Sequence, residues 1–422
     1  MLDRMLSYLK CLLLIFIFST KHHLLFADLP TDEKTLERID LMEKEIKELK
    51  KELYPKTQYT AGEGIEIQST GLTIHAGATF ILQGTHNANG DGLAKSSRDT
   101  SDASYSVDLH FEKKFDDSAM AYLRLESGNG TGVGNDLKIF SGTNMDVSNS
   151  NNRVSITRIF YEHYFKDLPL TFTFGKIGPS TYLDRNKYAN DECYQFLGNA
   201  FVNSPVIGFP DNNTFGCRFS VATNLLDIEL AALDANADGE NIFDNVFFSG
   251  QFNLKPNFQK RQGNYRLYGW LNNKDHIEWN DASQTKKKNY GFGLSCDQEL
   301  TDCMGAFARY GWQNPKVYSS GSDFSLEQFW SVGLQVIGKN WDRLDDTFAL
   351  AFGQIIPSNN YKKVNRLKGK SEKHFEAYYH FKMYKQISIT PDLQIIWNPY
   401  GTDAANGSKT IFVGGIRAHL NF

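Results

Sequence analysis

The chain has 422 residues, a mean hydropathy of −0.43 and a hydrophobic fraction of 41%, which excludes a bundle of apolar membrane helices. Aromatics make up 14%, with 31 Phe and 34 Gly, a composition that suits strands punctuated by turns. The net charge of −4 gives no sign of nucleic-acid binding.

Arg4 and Lys10 flank the start of an apolar run, Cys11 to Phe18 (CLLLIFIF), that is too short to cross a bilayer as a helix. The pattern predicts a signal peptide over 1–27, cleaved after Ala27, although Leu25 stands where a small residue is usual and Lys21, His22 and His23 are unusual there. A membrane anchor is the alternative. Cys11 leaves with the signal, so Cys193, Cys217, Cys296 and Cys303 remain in an exported chain, where disulfides are permitted.

Residues 28–56 read as a periplasmic coiled-coil helix. Ile39, Met42, Ile46, Leu49 and Leu53 recur at three and four residues among Glu and Lys, and Pro55 stops the run. So short a helix is marginal alone. It is expected to pair with copies of itself, with 32–54 available for a periplasmic or cell-wall contact; a solvated amphipathic leader is the alternative. Residues 57–76 read as a linker and lead-in to the first strand.

The period then changes to two, and 77–422 read as one β domain. In SYSVDLHFEKKF, Tyr105, Val107, Leu109 and Phe111 share one face, with Ser106, Asp108, His110 and Glu112 on the other. After a short turn, Ala119, Ala121, Leu123 and Leu125 alternate with Tyr122, Arg124 and Glu126. The same pattern near 72–85, 154–166, 170–176, 214–222, 226–233, 246–254, 264–272, 289–296, 304–313, 328–338, 347–355, 374–384, 387–397 and 409–422 brings the count to about sixteen strands. Connections alternate between short (KKFDD, KDLP, ATNL, DQELTD, YKQ) and long (128–153, 177–213, 274–288, 357–373). One face charged, one apolar, and one end clipped tight predict an all-β transmembrane antiparallel barrel in a bacterial outer membrane, with short periplasmic turns and long outside loops. Phe422 then ends the strand that closes the barrel, as every edge in lipid must be closed.

The stretches Gly175 to Pro210, Ile387 to Gly401 (ISITPDLQIIWNPYG) and the terminal VGGIRAHLNF resemble the carbohydrate-selective porins of the OprB type. The resemblance covers most of 77–422, and the Thr-Pro-Asp-Leu-Gln run with Asn-Pro after it is its most specific piece. It implies a sixteen-stranded barrel, passive diffusion of sugars and, often, homotrimers; a coiled-coil leader occurs in only some members. One branch of the family is thought to pass arginine, so carbohydrate, arginine and general small-solute permeation all fit. No cofactor is expected.

Alternation points Arg124, Arg218, Arg266, Tyr268, Trp270, Arg309, Glu376, Tyr378, His380, Gln394, Arg417 and His419 into the lumen, along with Asp108, His110, Glu112, Tyr122 and Glu126. Aromatic faces for sugar rings and planar donors for hydroxyls suit a sugar path, while hydration and wall ion pairing explain the same residues without a solute. The long 177–213 segment carries Tyr182, Asp184, Arg185, Lys187, Tyr188, Asp191, Glu192 and Tyr194, the mixture expected of a constriction loop; a surface lid or trimer latch is the alternative. The expected pathway set is Arg124, Arg218, Arg266, Arg309, Tyr268, Trp270, Asp184, Arg185, Asp191, Glu192 and Glu376, with a pinch between the loop and an arginine wall.

DANADGEN places Asp234, Asn236 and Asp238 at alternate positions before Gly239, a weak calcium-loop match; position twelve is Asn245, and an Asx-rich turn is the better reading. GNGTGVGN (Gly128 to Asn135) opens no obvious helix, which argues against a phosphate cradle. No nucleophile and base stand together, so no enzyme is expected, with a barrel enzyme or a structural tether kept as different-class alternatives. Cys296 and Cys303 flank DQELTD and are the disulfide candidate; Cys193 with Cys217 is the weaker pairing, because Cys217 shares the apolar face of Phe215 and Phe219.

Overall fold

In a computed structural model of the protein, residues 65–67, 71–90, 99–146, 151–318 and 323–422 are described. The signal peptide, the coiled-coil helix and most of the linker expected over 1–76 lie outside these residues.

Sixteen long strands follow one another in chain order: β1 (Leu72–His86), β2 (Ser101–Asp116), β3 (Ala119–Asn129), β4 (Ser155–Tyr164), β5 (Leu170–Ile177), β6 (Thr214–Ala222), β7 (Leu226–Asp234) and β8 (Val246–Leu254). They continue with β9 (Arg261–Glu278), β10 (Lys287–Glu299), β11 (Met304–Gln313), β12 (Leu326–Gly338), β13 (Arg343–Pro357), β14 (Glu372–Tyr384), β15 (Ile387–Trp397) and β16 (Ile411–Asn421). Each pairs antiparallel with its chain neighbours, and β16 returns to β1 from Phe412 opposite His86 to Asn421 opposite Gly77. The expected barrel is therefore closed, with no long edge left unpaired.

The sequence alternation becomes inside and outside. On β10, Tyr290, Phe292 and Leu294 are 48%, 46% and 43% exposed, while Gly291 and Gly293 between them and Ser295 and Asp297 beyond them are buried. Phe215 and Phe219 on β6, Phe248 and Phe252 on β8, and Val332 and Leu334 on β12 repeat the outward pattern. Leaving a Leu or Phe in water forgoes roughly 1.5–3 kcal/mol of burial each. A girdle of such residues is stable only where lipid replaces water.

The connections keep their alternation around the ring. Turns such as 117–118, 223–225 and 385–386 lie at one rim, and loops such as 178–213, 358–371 and 398–410 at the other. Both ends of the barrel chain reach the turn rim, and the Phe422 amide donates to the Ala76 carbonyl at 2.9 Å with its ring 66% exposed. Removing Phe422 is expected to impair assembly, read as loss of the heat-modifiable folded band in outer-membrane fractions; a normal folded yield would remove this role from the residue.

Two differences from the sequence reading have physical causes. β9 extends past the expected 264–272 to Glu278, across an irregularity between Asn272 and His276, and its end pairs with Val317–Tyr318. Above the lipid no apolar face is required, so that extension carries no period-two signal. The disulfide is corrected: Cys296 and Cys303 are free thiols, as are Cys193 and Cys217. Cys296 sits level with Ala308, whereas Cys303 lies in the turn, about 16 Å away along an extended strand.

Candidate functional site

The 178–213 loop folds into the lumen as expected of a constriction. Gly178 and Pro179 break β5 and start a short 3-10 turn, Pro179–Thr181, and Asp184 turns the chain with φ of 62°. One helical turn, Asn199–Val202, follows. From its root between β5 and β6 the loop reaches β8 through Tyr182 and Ser249 at 3.2 Å, and β10 through Asn186 and Ser295 at 3.2 Å. It ends its traverse at β16, where Tyr194 donates to Asn421 at 2.9 Å. It thus crosses the barrel interior.

The loop stays inside because its underside is apolar and the facing wall matches it. Tyr182, Leu183 and Ile207 pack with Leu233, Phe247 and Trp270. Tyr188, Phe196 and Phe201 pack with Phe307, Ala351 and Tyr378. Gly305 leaves room for the Tyr188 ring: a Cβ there would overlap it. Residues 130–146 are also turned inward. Gln83 and Gln394 both donate to the Thr143 carbonyl, at 3.1 and 2.9 Å. Ser106 donates to Asp146 at 2.9 Å, and the Met145 amide donates to the Leu197 carbonyl at 2.8 Å.

This packing divides the expected pathway residues into two groups. Arg266, Tyr268, Trp270, Arg309 and Glu376 point inward as the alternation requires, yet all are buried beneath the loop, as is the side chain of the loop's own Asp184. Arg266 is held by Asp297 at 2.6 Å, Arg309 lies 3.3 Å from Asp184, and Glu376 accepts the Leu197 and Gly198 amides at 2.5 and 2.9 Å. They are corrected from solute contacts to supports of the loop, since inward direction says nothing about what then covers a residue. Arg185 lies on the loop and gives its carbonyl to Ser295 at 2.8 Å.

The other group keeps solvent access. Arg124 binds Asp108 through Nε at 2.7 Å and through Nη2 at 2.6 Å, and lies 3.4 Å from Glu126. Arg218 forks onto Glu229 at 2.5 and 3.0 Å and lies 3.4 Å from Glu162. Between them stands Arg158, which the site prediction missed. It is directly across from Arg124 in the β3–β4 ladder. Its signal was available, since Arg158, Phe160 and Glu162 alternate with Ile159 and Tyr161. Like charges opposite each other are unfavourable, and Asp108 and Glu126 offset the pair. Phe160 stacks on Tyr122 with centroids 4.9 Å apart, placing an aromatic pair beside the arginines.

Facing this wall are carboxylates from both inward loops. Asp191 is raised above the usual carboxylate range by burial, against the Cys193 and Tyr194 amides that donate to it. Burial and the neighbouring Asp191 and Asp146 push Glu192 to about 7. Burial pushes Asp146 to about 6, opposed by the Ser106 hydroxyl. Asp146 had no sequence signal, because a loop has no period. The site is a slot between an arginine–carboxylate wall and an acidic loop edge.

The calcium-like stretch is a turn. Asp234 accepts the Asn236 and Gly239 amides at 3.0 and 3.2 Å, and Glu240 donates its amide to Asp238 at 2.9 Å. Its oxygens serve the backbone.

A family profile described as "Carbohydrate-selective porin, OprB family" matches residues 101–422. Among solved structures, Pseudomonas putida OprB at high pH is 16% identical with a TM-score of 0.69, covering 83% of this chain and 94% of that one. The outer membrane channel DcaP of Acinetobacter baumannii is 11% identical with a TM-score of 0.52, covering 85% of this chain and 99% of that one. No curated protein matches.

Proposed function

The chain belongs to the OprB family of carbohydrate-selective porins and is a substrate-selective channel of the bacterial outer membrane; from that premise we propose that small carbohydrates diffuse through the slot between the wall of β2–β6 and the 178–213 loop. The carrying observation is that each solvent-accessible wall arginine with a partner is matched by carboxylates, as Arg124 is by Asp108 and Arg218 by Glu229. A neutralised fork offers planar donors beside acceptors, the set a polyol's hydroxyls need, without a strong demand for a charged solute. The Tyr122–Phe160 pair adds an apolar ring face for the flat side of a sugar. Asp191, Glu192, Arg124 and Arg218 are the pathway residues in this reading. No step requires energy coupling or turnover of the solute.

Liposome swelling with neutral sugars and amino acids of matched size tests this. Pentoses and hexoses are expected to enter fastest, and disaccharides more slowly. Faster entry of arginine than of an equal-sized sugar would move the solute class to cationic amino acids. The proposal extends to a homotrimer, checked by mass measurement in detergent, and to a periplasmic helix over 28–56. Deleting 32–54 is expected to leave conductance intact while loosening any cell-wall association.

A further inference from the structure

A loop inside a barrel has no ladder to satisfy its backbone, and buried N–H and C=O groups must be paired. Here wall side chains pair them. Arg309 donates Nη1 to the Phe201 carbonyl at 2.6 Å and Nη2 to the carbonyls of Ala189 and Asp184 at 2.5 and 3.1 Å. Arg417 donates Nη1 to the Glu192 carbonyl at 2.5 Å and Nη2 to the Gln195 carbonyl at 2.7 Å. Both guanidiniums are buried. We propose that Arg309 and Arg417 are the positioning residues of this channel: they clasp the constriction loop by its carbonyls, and so fix the bore and the place of Asp191 and Glu192, without touching the solute.

The two clasps hold different parts. Arg309 gathers three separated carbonyls into one point, and its ion partner Asp184 in turn accepts the Ser204 amide at 2.7 Å, so the root and the returning arm are tied together. Arg417 holds only the far edge, the stretch that bears the carboxylates. Arginine suits both places because its planar fork reaches two carbonyls at once, which a lysine ammonium on a flexible stem does not do in fixed geometry. Charge-assisted bonds to buried carbonyls are among the stronger ones.

The native thiols supply a reporter. Among the described residues Cys193 alone faces the lumen, beside Asp191 and Glu192 and 3.6 Å from the Thr79 hydroxyl. Cys217 lies between outward Phe215 and Phe219, Cys296 shares the outward face of Leu294, and Cys303 lies in a rim turn. Burial pushes the Cys193 thiol up, so a charged methanethiosulfonate reagent attacks it slowly while the edge is clasped.

This inference rests on the porin reading, and the experiment separates the two. Wild type, Arg417→Ala, Arg417→Lys and Arg309→Lys are reconstituted in planar bilayers, each first shown to run as a heat-modifiable folded barrel. Arg417→Ala is expected to raise single-channel conductance, to admit larger sugars in swelling, and to speed current block through Cys193 by about tenfold or more, since two charged hydrogen bonds are lost. Arg417→Lys keeps the charge and loses the fork, so it should accelerate the block as well. Arg309→Lys tests the root if its barrel folds. Wild-type conductance, size limit and block rate in both Arg417 variants would overturn the clasp. A wild-type barrel that conducts nothing would instead overturn the porin reading.

Discussion

Acidifying the bath from pH 8 to pH 5 is expected to remove the channel's preference for cations, and Asp146→Asn, Asp191→Asn and Glu192→Gln together should convert it to an anion preference at all pH values. Around the Asp191–Glu192 edge of the slot, five carboxylates, Asp108, Glu126, Asp146, Asp191 and Glu192, lie near three guanidiniums, Arg124, Arg158 and Arg417. With every group ionised the balance is negative. Glu192 at about 7 and Asp146 at about 6 are protonated, and therefore neutral, below those values, so lowering the pH removes two negative charges and leaves every arginine charged. A unit charge about 5 Å from a passing ion in water is worth about 0.8 kcal/mol. Each neutralised carboxylate acts on cation and anion with opposite sign, and so shifts the local cation-to-anion ratio by up to roughly fifteenfold before salt screening. Reversal potential in a potassium chloride gradient reads the effect. A potential that stays constant between pH 5 and 8 would show that these carboxylates do not face the ion path.

Leu294→Arg is expected to destabilise the barrel by about 2–4 kcal/mol, the cost of arginine on the lipid face near the midplane. Leu294 lies mid-way along β10, opposite Leu267 of β9 and Tyr310 of β11, and points outward. Urea unfolding of protein refolded into vesicles measures the change. The neighbouring position looks inward, and Ser295 there is fully buried against the constriction loop, donating to the Arg185 carbonyl. Ser295→Ala should thus leave the lipid contact untouched and cost about 1–2 kcal/mol, since the hydroxyl donates to the Arg185 carbonyl and accepts from the Asn186 side-chain amide. Equal losses in the two variants would contradict the assignment of faces.

The barrel was legible because lipid on one side and water on the other impose a period of two on every strand, as Tyr290, Phe292 and Leu294 show. Loop parity was legible because turns between strands must be short at one rim. The site was legible only in part. Alternation correctly sent Arg124, Arg309 and Trp270 inward, but it could not tell the open wall from the wall under the loop. That distinction depends on where Phe196 and Phe201 pack, a contact between segments more than a hundred residues from Phe307. Arg158 carries the same periodic signal as Arg124, on the neighbouring strand. Asp146 lies in a loop, where side-chain direction has no period to follow. The expected disulfide is absent because closeness in sequence across a turn is not closeness in space: the ladder puts Cys296 three rungs from the last pair, Glu299 and Gly305.

The loop that fills one side of the lumen gives the two sides of the barrel different histories to expect. Under the loop, Phe307, Tyr378 and Arg309 are enclosed by partners on the inner face and by lipid on the outer, so a change in any of them must be matched by a change in the loop. Along the open side, Arg124, Arg158, Glu162 and Arg218 of β3, β4 and β6 meet water. A substitution there alters what passes without disturbing what folds. New solute preferences should therefore arise in descendants of this chain by drift of about a third of the wall, while the remainder changes only in step with the segment it carries.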